Sequence, residues 1–123
     1  MRILASSIQV VPEEHRFEKW ANFPLERERL LELVKKVKVE KALLISGDRH
    51  MGEISRFDGV LEVTSSGLTN AGGGYFDKNR HRVGKRVGRR NFGLIEIDWS
   101  GEGPKVDVKL MGERGEVYEK RKL

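Results

Sequence analysis

Residues 24–50 read PLERERLLELVKKVKVEKALLISGDRH and combine two patterns. The first half predicts an amphipathic helix, because apolar residues follow helical spacing at Leu30, Leu31, Val34 and Val37. Proline suits the first position of a helix, so we expect the helix to begin at Pro24, with Asn22 near enough to cap it. The second half contains Ala42–Ser46, a short apolar run bounded by Gly47. This run predicts a buried central strand.

Further strands extend this unit in both directions. Arg2–Val11, closed by Pro12, predicts a buried strand, and Leu61–Ser65 predicts a third. The first strand, the helix and Ala42–Ser46 then form one βαβ unit with two parallel strands and a right-handed crossover. Alternating apolar residues over 94–99, 106–110 and 117–118, separated by glycine turns, predict an antiparallel meander with one wet face. The fold class is therefore α/β, and residues 1–123 are expected to form a single domain.

Composition excludes several classes of protein. The chain has 123 residues, no cysteine and 35% charged residues, so it is not a disulfide scaffold, a zinc ribbon or a cysteine-dependent enzyme. No apolar run approaches the roughly 20 residues that span a bilayer. The N-terminus lacks a signal-peptide core, which predicts a cytoplasmic location for the chain as it stands. Abundant Glu, Lys and Arg with a single Gln are typical of proteins from hot environments.

The net charge of +5 is concentrated in one segment. Residues 78–90 contain seven basic residues and no acidic one, and the remainder of the chain is slightly acidic. Such a segment attracts anions, of which phosphate is the obvious candidate. A solvated surface loop is the competing interpretation.

The sharpest local feature is the sequence Ser46-Gly-Asp-Arg-His50 at the carboxyl end of the predicted central strand. Ligands of open α/β sheets bind outside those strand ends. Asp48 and His50, two residues apart on a glycine-started turn, can point into one crevice and suit a first-row metal ion. Arg49 between them could pair with an acid or contact a phosphate. The alternative is a surface turn in which Asp48 caps the following segment.

Other polar residues give weaker signals. His15 stands beside two glutamates in a polar loop and is expected to be solvated. His81 lies in the basic segment and could assist a phosphate, although a structural role is the simpler interpretation. The glycine-rich loop at 71–76 lacks the ending of a P-loop, so it indicates mobility or close approach to a ligand.

Several motifs together resemble one known family, the PhoD-like alkaline phosphatases of the calcineurin-like metallophosphoesterase superfamily. The segments that carry the resemblance are Val11–His15, Glu18–Pro24, Glu26–Leu30, Ser46–His50, Glu53–Arg56, Thr64–Thr69, Arg80–Gly84 and Asn91–Trp99. They follow the order and spacing of the C-terminal part of that family and cover nearly the whole chain.

The resemblance implies half of an α/β/β/α sandwich with a two-metal centre at the strand ends, hydrolysing phosphate monoesters or diesters. Carried over by position, Asp48 and His50 are metal ligands, and Gln9 is a further candidate. Arg49, Arg80, His81 and Arg82 are candidate contacts to the phosphate of the substrate. The metals implied are two ions drawn from calcium, iron, manganese and zinc.

The family's N-terminal metal motifs are missing from this sequence. The chain therefore looks like a C-terminal half that needs its N-terminal half for activity. The expected partner is a separately encoded N-terminal half or a second copy of this chain. Two other functions stay open: a module that binds nucleic acid or another polyanion without catalysis, and an inert structural remnant. Whether this chain alone is an enzyme is left open.

Overall fold

The structure is a computed structural model that describes residues 1–37, 41–72 and 77–123. Its elements form two sheets and one helix, which agrees with the predicted α/β class. In chain order they are β1 (Arg2–Ala5), α1 (Pro24–Lys36), β2 (Ala42–Ser46), β3 (Gly52–Phe57), β4 (Val60–Ser65), β5 (Asn91–Asp98), β6 (Lys105–Gly112) and β7 (Val117–Lys122). A 3-10 turn at Trp20–Asn22 precedes α1. Most of the predicted glycine-rich loop, residues 73–76, lies outside the described residues.

The first sheet has the strand order β1-β2-β4-β3. β1 pairs with β2 in parallel, Arg2 opposite Ala42, and β2 pairs with β4 in parallel, Leu43 opposite Leu61. The predicted βαβ unit is therefore confirmed, with β2 flanked on both sides. The carboxyl ends of β2 and β4 lie at the same edge of this sheet.

The sequence predicts no strand between Gly47 and Leu61, so β3 and its hairpin with β4 are a difference from the prediction. β3 is antiparallel to β4, with Phe57 opposite Val60 and a two-residue loop between them. Asp58 and Gly59 in that loop have φ values of 49° and 82°. Positive φ at both positions matches a type I′ turn, which suits the twist of a hairpin.

The first strand is shorter and more exposed than predicted. β1 ends at Ala5 instead of Val11, and as the edge strand it leaves Ile3 45% exposed. Val10 and Val11 are fully buried, but their backbone N–H groups donate to a carboxylate, that of Glu62, at 2.9 and 2.6 Å. The Glu62 carboxylate thus accepts the backbone hydrogen bonds that a neighbouring strand would accept if β1 extended to Val11 as predicted.

The helix begins at Pro24 as predicted, but its cap differs. Phe23 is the N-cap residue and provides no side-chain hydrogen bond. The side-chain Oδ1 of Asn22 instead accepts a bond of 2.9 Å from the Lys19 ammonium. Leu31 and Val34 are buried against the first sheet, whereas Val37 lies beyond the end of α1 and is 42% exposed.

The second sheet is the predicted meander, with order β5-β6-β7 and antiparallel pairing throughout. Val106, Val108 and Leu110 alternate along β6 and are buried, while the residues between them are partly exposed. They pack with Leu43 and Leu61 of the first sheet in one apolar cluster. The main core therefore lies between the two sheets, and a smaller cluster lies beneath α1.

The described residues contain no helix with the length and apolar character needed to cross a membrane.

Candidate metal turn and buried polar cluster

The turn from Gly47 to His50 joins β2 to β3 at the carboxyl edge of the first sheet. Asp48 and His50 are both exposed and have φ values of 59° and 50°. Residues other than glycine occupy this left-handed region sparsely, so surrounding contacts must hold the turn. The backbone carbonyl of His50 accepts a bond of 3.0 Å from Gly72, and its Nδ1 lies 3.5 Å from the Asn70 amide nitrogen. A carboxylate and an imidazole are thus presented to solvent two residues apart.

Arg49, between these two residues, is buried. Its side chain is 4% exposed and forms an ion pair with Asp77. The guanidinium carbon lies 4.4 Å from the centroid of the Phe17 ring, and the backbone N–H donates to Ser66 Oγ at 2.8 Å. The predicted phosphate contact is therefore placed inside the protein, with an acid of this chain as its partner.

The donor set for a metal ion is incomplete within the described residues. They contain no group of three or more His, Asp or Glu residues that could hold a metal ion together. Asp48 and His50 are chemically suitable oxygen and nitrogen ligands, but a stable site needs about four ligands. Asp48 and His50 alone therefore do not make a complete metal site.

Gln9, the further ligand candidate, lies in a buried polar cluster beside this edge. We define the polar cluster by its members Gln9, Ser46, Glu53, Ser55, Thr64, Asn79 and Arg82. Gln9 is fully buried, and its Nε2 donates to Glu53 at 2.7 Å and to Thr64 at 2.8 Å. Thr64 also shares a bond of 2.9 Å with Ser46. The Gln9 Oε1 atom is buried and has no hydrogen-bond partner among the described residues.

Glu53 is the centre of the polar cluster. It is 1% exposed, and it accepts hydrogen bonds from Gln9, from Asn79 at 3.1 Å and from Arg82 Nε at 2.6 Å. Asn79 also donates to Ser55 at 2.9 Å. Arg82, a predicted phosphate contact, is thereby committed to a buried carboxylate, which compensates the charge of both groups.

Arg80 and His81 meet at Glu13 on the surface beside the cluster. Arg80 forms an ion pair with Glu13, yet its side chain remains 65% exposed. His81 Nε2 lies 3.6 Å from the same carboxylate, and its ring packs edge-on against Phe57. Burial alone would raise the pKa of Glu13, but the guanidiniums of Arg27 and Arg80 outweigh burial and lower it.

His15 contradicts the expectation of a solvated side chain. It is only 5% exposed, and burial together with the charges of Arg49 and Lys19 lowers its pKa to about 4. Nδ1 accepts the Phe17 backbone N–H at 3.2 Å, so a neutral ring carries its proton on Nε2. That Nε2 atom is buried without a hydrogen-bond partner in the described ranges. The neighbouring glutamates suggested solvent in sequence, but the chain folds this loop inward.

Glu62 was also missed by the sequence analysis. It is fully buried, and burial raises the pKa of its carboxyl even though two backbone N–H groups donate to it. The available signal was alternation. Glu62 and Thr64 face the same side of β4 as their partners Ser55 and Glu53 on β3. A polar stripe on adjacent strands ordinarily indicates a wet face, so alternation alone could not mark this stripe as buried.

The basic segment at 78–90 is partly neutralised. Arg80, Arg82 and Arg90 each form an ion pair with a glutamate. It therefore offers less free positive charge to an anion than its composition suggests.

A groove of about 370 Å³ opens beside the turn from Gly47 to His50. Its lining includes Gly47, together with Ala5 of the edge strand and Ile45, Val63 and Ile95 of the two sheets. Ala5 of this lining belongs to the edge strand β1, whose Ile3 is 45% exposed, so apolar surface is open to solvent on this side of the described residues.

No protein-family model matches this chain, and no curated protein sequence matches it. Its fold is similar to a solved structure described as "Structure of PhoD", with a TM-score of 0.59 and 14% sequence identity. The similarity covers 98% of this chain but only 31% of that one, so the chain spans about a third of the length of its structural neighbour. At this identity the likeness concerns the fold, and the fold of this chain is PhoD-like.

Proposed function

We propose that this chain is the C-terminal part of a PhoD-like phosphoric ester hydrolase. The observation that carries the proposal is the exposed Asp48 and His50 pair at the carboxyl end of a central strand, in a chain whose fold is PhoD-like. In this proposal the two side chains are metal ligands, and the remaining ligands come from the part of the domain that the chain does not contain.

A complete centre would hold calcium, iron, manganese or zinc, which act as Lewis acids on the phosphoryl group. Asp48 would contribute a negatively charged oxygen and His50 a neutral ring nitrogen to that centre. Of the three candidate arginines, Arg49, Arg80 and Arg82, Arg80 has the most exposed side chain. We therefore propose Arg80 as the phosphate contact. Binding of a phosphate there would compete with Glu13 for the same guanidinium.

The partner that completes the site is expected to cover the free edge of β1. An unpaired edge strand recruits another strand, and exposed apolar surface recruits a cover. Ile3 on that edge is 45% exposed, and the groove beside Gly47 adjoins it. We propose the N-terminal part of the same kind of domain as the occupant, in cis or as a separate chain. A second copy of this chain is the alternative occupant.

The competing function is binding of a polyanion without catalysis. The ion pairs of Arg82 and Arg90 weaken it, because those charges are already compensated. Affinity for a nucleic acid that falls steeply with salt and needs no metal would favour this function.

Metal binding by the chain tests the proposal most directly. We expect weak Mn²⁺ binding by the wild type, and loss of that binding in Asp48→Asn and in His50→Ala. Asp58→Asn is the matched control, because Asp58 is also an exposed aspartate with positive φ, on the distant β3–β4 turn. Mn²⁺ affinity that is the same in all four proteins would contradict the assignment of Asp48 and His50.

Catalysis is tested separately, with nitrophenyl monoester and diester substrates. We expect little turnover by the chain alone, because a single loosely held ion cannot clamp both the attacking and the leaving oxygen. Co-expression with the product of the neighbouring upstream reading frame should restore turnover if that frame encodes the missing metal motifs, and Asp48→Asn should abolish it. Metal-dependent turnover by the chain alone would show that its own residues complete the site.

A further inference from the structure

We propose that Arg49 is a positioning residue: its buried guanidinium, fixed by Asp77 and Phe17, holds Asp48 and His50 in the conformation that presents a metal ligand on either side. This inference rests on the proposed function, since it concerns how that metal turn is built. It gives Arg49 a role different from the substrate contact that the sequence suggested.

The turn needs such support because its backbone is unusual. Asp48 and His50 have φ values of 59° and 50°, in a region that residues other than glycine adopt uncommonly. Neither side chain buries surface that could hold the backbone, since both are exposed. Besides the backbone bond from Gly72 to the His50 carbonyl, the residue between them is the one whose side chain is buried, so its contacts constrain both neighbours.

Three separate segments of the chain anchor Arg49. Asp77, 28 residues later, pairs with its guanidinium, and Phe17 from the loop before the helix covers the face of the same group. The backbone N–H of Arg49 donates to Ser66 Oγ, which follows β4. Because these anchors come from different parts of the fold, the turn cannot shift without breaking tertiary contacts.

The same contacts argue against a direct role in substrate binding. The side chain of Arg49 is 4% exposed, and that of Asp77 is 16% exposed. A phosphate would have to displace an internal carboxylate and enter beneath an aromatic ring before it reached the guanidinium. The Arg80 side chain is 65% exposed, so a phosphate can reach its guanidinium without entering the interior of the protein.

The test uses NMR of the full chain, with backbone amide hydrogen exchange at residues 48–50 and Mn²⁺-induced broadening of the His50 resonances. The variants are Arg49→Met, Arg49→Lys and Asp77→Asn, and Arg89→Met is the control for loss of an exposed arginine. We expect Arg49→Met to speed exchange at the turn and to weaken Mn²⁺ binding about tenfold, as loss of outer contacts to metal ligands does. Arg49→Lys should recover part of the affinity, Asp77→Asn should act in the same direction as Arg49→Met, and Arg89→Met should change neither readout.

The outcomes separate this inference from the proposed function. Unchanged exchange and unchanged Mn²⁺ affinity in Arg49→Met and Asp77→Asn would overturn the positioning role. If Arg49→Met does not fold, Asp77→Asn alone decides by the same criteria. If wild-type protein shows no Mn²⁺ broadening at Asp48 and His50, the metal assignment fails, while hydrogen exchange still decides whether Arg49 holds the turn.

Discussion

The two faces of the first sheet are stabilised by different interactions. On one face Leu43, Ile54 and Leu61 pack against the second sheet, and each is fully buried. The other face is apolar beneath α1 but becomes polar toward the carboxyl edge, where Glu53 and Glu62 are buried as deeply. The apolar face gains stability in proportion to the area removed from water. The polar face avoids a large penalty only while its buried groups keep their partners.

Removal of Glu53 is expected to have the largest effect. Glu53→Ala leaves Arg82 without its counter-ion and takes an acceptor from Gln9 and Asn79. Breaking a buried ion pair on one side costs about 3–5 kcal/mol of unfolding free energy. Urea unfolding of wild type and Glu53→Ala at neutral pH measures this loss of unfolding free energy.

The double variant Glu53→Leu with Arg82→Met sharpens this prediction. Because both charges are removed together, it should lose less stability than either single substitution. A loss below about 1 kcal/mol in Glu53→Ala would show that the polar face does not depend on its pairing.

Truncation on the apolar face should cost somewhat less. Leu61 is fully buried between the sheets, and Leu61→Ala is expected to lose about 3 kcal/mol through transfer and cavity terms. Leu68→Ala is the control, since Leu68 is 64% exposed and should change stability by less than about 0.5 kcal/mol. Equal losses in both would contradict the placement of the core.

His15, in the buried loop before the helix, makes the stability of the fold sensitive to acid. The pKa of His15 is about 4 in the folded state and near 6.5 in the unfolded chain. Between pH 6.5 and about pH 4, His15 is protonated in the unfolded chain but stays neutral in the folded state. The free energy of unfolding therefore falls by up to about 3 kcal/mol as the pH is lowered through this range.

His15→Asn removes this titration while its side-chain oxygen can still accept the Phe17 N–H. The variant should show a flatter stability profile than wild type between pH 7 and pH 4 in urea unfolding. The comparison must be made as a difference, because Glu13, whose pKa is lowered, also loses stabilisation as the pH falls through its range. Parallel profiles would show that His15 is protonated in the folded state as readily as in the unfolded one.

Arg80→Ala should have the smallest effect on stability. Its guanidinium is exposed, and exposed ion pairs contribute about 0–1 kcal/mol. Arg27 remains beside Glu13 at 2.9 Å in the variant. Any difference between Arg80→Ala and wild type should shrink further at high salt, which thermal unfolding in low and high salt would test.

Local patterns predicted the elements that depend on local physics. The start of the helix at Pro24, the strand Ala42–Ser46 and the antiparallel meander all follow from periodicity and turn residues, and all are present. The likeness to PhoD in fold was likewise expected from the order of motifs, and the structural comparison supports it at the level of the fold.

The buried polar residues that the sequence analysis missed share a different cause. Glu53, Glu62 and His15 look like surface residues because the groups that stabilise them in the interior are far away in sequence. Arg82 lies 29 residues from Glu53, and the N–H groups that bind Glu62 lie more than 50 residues before it. Burial of such groups is decided by tertiary partners, which a single sequence read locally does not reveal.

The Asp58–Gly59 turn has a consequence for the order of folding. A two-residue turn with positive φ at both positions lets β3 and β4 pair locally, and hairpins form in about 1–10 μs. Pairing of β1 with β2 must instead close a loop of about 40 residues, which is slower. We therefore expect mutations in the hairpin to give high φ-values in a folding-kinetics analysis, where φ is the ratio of the change in activation free energy to the change in stability. The N-terminal strand is expected to pair with β2 last.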